Sequence, residues 1–114
     1  PTPTFEKKVP DEIFARIQNF SLLLDTKEKT KFDFLVTSSF KKYKDENRIT
    51  LNLFNEFKQN DKIKKVFSYN LFCNKVENKC YGNDNNDIFF RDTSHLSSKG
   101  SIILVSEILN LLKE

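Results

Sequence analysis

At 114 residues the chain is one small domain or a piece of one. Its charge is near balance, 19 basic against 16 acidic residues for a net +3, and the lysines are scattered among acids, so we expect a solvated surface and no nucleic-acid partner. No apolar run reaches the roughly 18 residues of a membrane span, while 38% apolar content with 12 phenylalanines supports an aromatic-rich core.

Residues 1 to 10 (PTPTFEKKVP) read as an extended, proline-bounded lead-in. Asp11 is placed to cap a helix over about 12 to 20, with Phe14 and Ile17, and also Ile13 and Phe20, on its apolar face. Residues 25 to 33 are polar and read as a loop. Phe34-Leu35-Val36 is open between a short strand and a helix start. A longer helix is expected over about 39 to 59, where Ile49, Leu53, Phe54 and Phe57 recur at helical spacing as a core stripe.

Asn60-Asp61-Lys62 breaks that helix. Lys64 to Tyr69, with Val66, Phe67 and Tyr69, then reads as a strand. Residues 73 to 86 form an asparagine-rich loop containing Cys73 and Cys80, followed by a short strand at Asp87–Phe90. Ser97 or Ser98 caps a last helix over about 98 to 112. It is apolar around most of its girth through Ile102, Ile103, Leu104, Val105, Ile108, Leu109, Leu111 and Leu112, so burial is expected. Helices interleaved with strands suit part of an α/β layered domain.

Chemistry concentrates at Asp92-Thr93-Ser94-His95-Leu96-Ser97-Ser98-Lys99-Gly100. His95 is the only histidine, and Asp92 precedes it by three residues. Histidine suits proton transfer near neutral pH, and a carboxylate can fix its tautomer. By spacing alone the pair is either a proton-moving dyad or a simple loop cap. Cys73 and Cys80 flank six residues, and on their own residues three readings stay open: free thiols, a disulfide, or zinc with His95 and Asp92, for which the spacing fits poorly.

The stretch from Cys73 through Cys80, Asp87–Phe90, Asp92, His95-Leu96-Ser97 and Gly100 resembles the last sequence block of the SGNH (GDSL-like) hydrolases, Asp-x-x-His before a closing helix. The likeness is strongest to the extracytoplasmic SGNH domain fused to family 3 membrane acyltransferases, which O-acetylate surface polysaccharides. It covers about residues 66 to 112, and more loosely back to Arg48. It implies a three-layer, flavodoxin-like α/β sandwich with a mostly parallel sheet. It further implies a serine-dependent acyl transfer in which His95 is the base and Asp92 its orienting carboxylate, with no metal or cofactor. A glycan acceptor, an extracytoplasmic location tethered through a membrane acyltransferase domain, and a Cys73–Cys80 disulfide follow from the same likeness.

The family's Gly-Asp-Ser nucleophile motif is missing, and the only glycines, Gly82 and Gly100, lie in the final third. Residues 1 to 114 are therefore expected to form a single unit, the C-terminal portion of such a domain, and Pro1 reads as a cut or cleaved start. Tyr81-Gly82-Asn83-Asp84 matches the family's Gly-x-Asn-Asp oxyanion block only superficially, and the match is rejected because it lies just before Asp92 and among asparagines that favour turns. Ser94, Ser97 and Ser98 read as backbone caps, leaving Ser38, Ser39 and Ser68 as the next nucleophiles to test. The other function classes in view are a non-catalytic α/β interaction module and a lipase or esterase of another SGNH branch.

Overall fold

The computed structural model describes residues 1–21, 34–60 and 62–113, and the side chains within those ranges except 16–21. The loop expected over 25–33 and the side chains of Ile17 and Phe20 lie outside the described residues. Helices α1 (Val9–Ser21), α2 (Phe40–Glu46), α3 (Arg48–Glu56), α4 (Tyr69–Phe72) and α5 (Ser98–Leu112) accompany strands β1 (Thr37–Ser39), β2 (Cys73–Asn74) and β3 (Lys79–Tyr81).

The sheet corrects the expectation of a mostly parallel one. Its three strands run in the order β1-β3-β2, and both pairings are antiparallel. The connection from β2 to β3 is too short for the crossover that parallel neighbours need and can only reverse the chain. Asn78 takes the left-handed conformation that closes this turn, with φ of 55°. Its side-chain oxygen then accepts the Lys41 N–H at the start of α2.

Two expected strands are absent from the sheet. Residues 63–67 make no ladder. There Phe67 packs its ring on Tyr69 at 5.4 Å and edge-on to Phe54 at 6.4 Å. Asp87–Phe90 is reduced to the isolated antiparallel bridges Asn83↔Ile88 and Phe90↔Leu96.

The long helix expected over 39 to 59 is split at Asn47 into α2 and α3. Asn47 leaves helical geometry, and both its backbone N–H and its side-chain amide close onto the Tyr43 carbonyl. An asparagine that offers the backbone such a local alternative ends one helix and starts the next. Ser39 caps α2 by accepting the Lys42 N–H.

Two apolar clusters form the interior. The first packs Phe5, Val9, Ile13, Val36, Phe72 and Phe90, flanked by Leu96 and Ile103. Val9 and Ile13 lie one turn apart on α1 and both face inward, whereas Phe14 is exposed. The second cluster packs Phe40, Tyr43 and Cys80 against Leu51, Tyr69 and Cys73.

Two burial expectations fail. The Ile49, Leu53, Phe54 and Phe57 stripe is exposed, with Ile49 at 75%. Helix α5 has the expected bounds but presents Ile102, Val105, Ile108, Leu109 and Leu112 to the outside. Periodicity marks a face suited to burial, and the described residues leave most of these two faces uncovered.

Candidate active site

The Asp92–His95 loop is pinned on both flanks and at its tip. Phe90 is fully buried and bridges to Leu96 across the loop. Arg91 N–H donates to the His95 carbonyl at 2.9 Å, and Ser97 N–H to the Phe89 carbonyl at 2.8 Å. The N-terminal segment then satisfies every carbonyl at the tip. Phe5 N–H donates to Thr93, Val9 N–H to Asp92, and the Thr2 hydroxyl to Ser94 at 2.7 Å. Burial of Phe5 and Val9 holds that segment in place.

Helix α5 leaves the loop through a tight junction. The Ser97 hydroxyl donates to the Ile88 carbonyl and accepts the Gly100 N–H at 3.1 Å, forming the helix cap. Gly100 is buried against the Phe89 backbone, where a Cβ would lie 2.1 Å from the carbonyl oxygen. This close approach is the reason for glycine at the end of His-Leu-Ser-x-x-Gly.

Within the loop the two oxygens of Asp92 have separate tasks. Oδ1 accepts the backbone N–H groups of Ser94 at 2.9 Å and His95 at 2.7 Å. Oδ2 lies 2.8 Å from His95 Nδ1. The two backbone donors, more than the imidazole, hold the Asp92 carboxyl at about 2, below the ordinary 3.8. A carboxylate fixed this way orients the ring and favours the tautomer with the proton on Nδ1. Nε2 is then left with its lone pair, on a side chain that is 66% exposed. Such a group can take a proton and return it.

The other candidates lie elsewhere. Ser39 caps α2, Ser68 donates to the Pro1 carbonyl, and the Ser38 hydroxyl is buried without a hydrogen-bond partner. None of these described hydroxyls bonds the imidazole. Cys73 and Cys80 face each other across β2 and β3 and form a disulfide. Their sulfurs are thereby spent, which removes the zinc arrangement. Asn83 is buried, accepts the Val36 N–H at 2.7 Å and donates to the Phe34 and Asp84 carbonyls. Its amide is a structural clamp between distant segments.

Sequence reasoning missed Thr2, Phe5 and Val9, which fix the loop from some ninety residues away in sequence. Their bonds are mostly through the backbone, so no side-chain pattern announces them.

The family model described as SGNH domain (fused to AT3 domains) matches residues 7–110. No curated protein and no solved structure matches the chain.

Proposed function

The chain belongs to the SGNH domain family found fused to AT3 domains, and from that premise we propose that it supplies the base and its orienting carboxylate to a serine-dependent acyl-transfer domain acting on O-acyl groups of cell-surface glycans. The observation that carries the reading is the 2.8 Å contact between Asp92 Oδ2 and His95 Nδ1, with Oδ1 separately anchored by backbone donors. His95 Nε2 takes the proton from the attacking serine hydroxyl as its oxygen bonds the acyl carbon. The same nitrogen then returns the proton to the leaving oxygen as the acyl–oxygen bond breaks. Asp92 keeps the imidazole oriented and stabilises the imidazolium between those steps.

The chain has no Gly-Asp-Ser sequence, and in this reading the nucleophile and the oxyanion donors come from a segment outside residues 1–114, this chain being the C-terminal portion of the domain. A membrane acyltransferase domain is its partner, and an extracytoplasmic location accords with the Cys73–Cys80 disulfide. Among the described residues no helix is long and apolar enough to cross a membrane, so tethering also falls to a segment outside them.

The test is esterase or acetyltransferase activity on aryl acetates and acetylated glycans. A polypeptide joining this chain to an upstream Gly-Asp-Ser segment should be active, and the 114-residue chain alone should not exceed background. His95→Ala should lower the joined activity by orders of magnitude, because base and nucleophile act as a unit. Activity that survives His95→Ala would remove His95 from the mechanism. An inactive joined polypeptide that folds would favour a non-catalytic module.

A further inference from the structure

A concave region lies on the Phe40–Tyr43 cluster, and its lining includes no residue of the Asp92–His95 loop. It is a cleft of about 660 Å³ bounded by α2, α3 and the β2–β3 turn. Lys41, Lys44, Arg48 and Lys75 line it, against Asp45 as the one acid. The lining alone thus carries a surplus of positive charge as large as the chain's net +3. Among the described residues none of the four cations pairs with a carboxylate, in contrast to Lys42 with Glu46 and Lys99 with Asp87.

Aromatic rings, in place of carboxylates, position two of these cations. Lys44 Nζ sits 4.8 Å from the Phe40 ring centre and Lys75 Nζ 5.7 Å from that of Tyr69. A ring face attracts an ammonium without neutralising it, so the charge remains available to an anion. Those same faces are covered, and Phe40 and Tyr69 are tilted against each other at 5.6 Å. Stacked nucleobases need open ring faces, and Phe40 and Tyr69 do not offer the faces that the ammoniums occupy. The amides of Asn52 and Asn55 also line the cleft and can both donate to and accept from hydroxyl groups. Carboxylate-binding cations beside hydroxyl-binding amides describe a specific ligand chemistry.

We infer that this cleft binds an acidic saccharide, one that carries carboxylates and free hydroxyls along its chain, as uronate oligomers do. The site is distinct from the Asp92–His95 loop, and the inference does not rest on acyl transfer. The probe is a fluorescein-labelled oligogalacturonate, titrated with the chain and followed by fluorescence anisotropy. Binding is expected, with displacement by unlabelled oligogalacturonate and none by a neutral maltodextrin of equal length. Lys44→Gln with Arg48→Gln should weaken it by roughly two- to thirtyfold, the range for two exposed ion pairs. Lys62→Gln with Lys113→Gln removes the same charge away from the cleft and should leave affinity unchanged. An equal loss in both double variants, displacement by oligothymidylate as effective as by oligogalacturonate, or no binding at all would each overturn the inference. The titration is repeated with His95→Ala, whose affinity should match the parent. Loss of binding there would deny that the sites are separate and overturn the inference, whereas retained binding keeps it whatever becomes of the acyl-transfer reading.

Discussion

Gly100→Ala sets two physical effects against each other. Gly100 stands in the first turn of α5, where alanine is intrinsically the better helix former by about 1 kcal/mol. Helix propensity alone therefore predicts stabilisation. The surroundings predict the opposite. The new Cβ would lie 2.1 Å from the Phe89 carbonyl oxygen, and 3.0 Å from both the Phe89 carbonyl carbon and Leu96 Cδ2. An unstrained contact needs about 3.5 Å, so the two segments must part by more than about an ångström. A leucine methyl can swing aside, but the Phe89 carbonyl is backbone and accepts the Ser97 N–H at 2.8 Å. Overpacking costs about 1–3 kcal/mol and the loosened hydrogen bond about 0.5–1.5 kcal/mol. Set against the propensity gain, the net loss is about 0.5–3.5 kcal/mol. For a chain of this size that lowers Tm by about 3–6 °C per kcal/mol. Urea and thermal unfolding followed by circular dichroism measure it, with Ser98→Ala, at an exposed position of the same turn, as the reference. An alanine variant as stable as the parent, or more so, would show that the junction between the loop and α5 is not closely packed.

Three further outcomes follow from the same geometry. Asp92 should remain ionised well below the ordinary carboxylate range, titrating at about 2 when its carboxyl carbon is followed by NMR. Because the folded value lies below the unfolded one, its contribution to stability is present above about pH 4 and is lost as pH falls toward 2; a carboxyl that titrates at its ordinary value would deny the two backbone bonds. Reducing Cys73–Cys80 should release a pair of titratable thiols and cost about 2–3 kcal/mol in urea unfolding, as expected for closing a short loop; unchanged stability would mean that the β2–β3 turn is already restrained without the bond. Asn83→Ala should cost about 2–4 kcal/mol, because the Val36 N–H and the Phe34 carbonyl lose a buried partner; a loss under about 0.5 kcal/mol would mean that water replaces the amide.

What the sequence made legible is what short-range chemistry decides. The bounds of α5, a serine cap that the sequence offered at Ser97 or Ser98, and the Asp92–His95 contact that the family likeness implied all involve partners no more than a few residues apart. The split at Asn47 was missed although its cause is equally local, because the apolar period runs on through Ile49 and Leu53 and masks a capping asparagine. The sheet was misread for a different reason. The Lys64–Tyr69 run has a strand's composition, yet its aromatic residues satisfy themselves by ring packing, while the short and polar segments Thr37–Ser39 and Lys79–Tyr81 form the actual ladder. Pairing is a property of two segments, and no single segment announces its partner. The same logic applies to the clamp on the loop. Thr2, Phe5 and Val9 hold the carbonyls of Ser94, Thr93 and Asp92, so the orientation of the imidazole depends on ten residues that read as a featureless lead-in. A motif such as Asp-x-x-His therefore fixes which atoms meet. The segment that buries Phe5 and Val9 fixes where that pair stands, and so which hydroxyl Nε2 can reach.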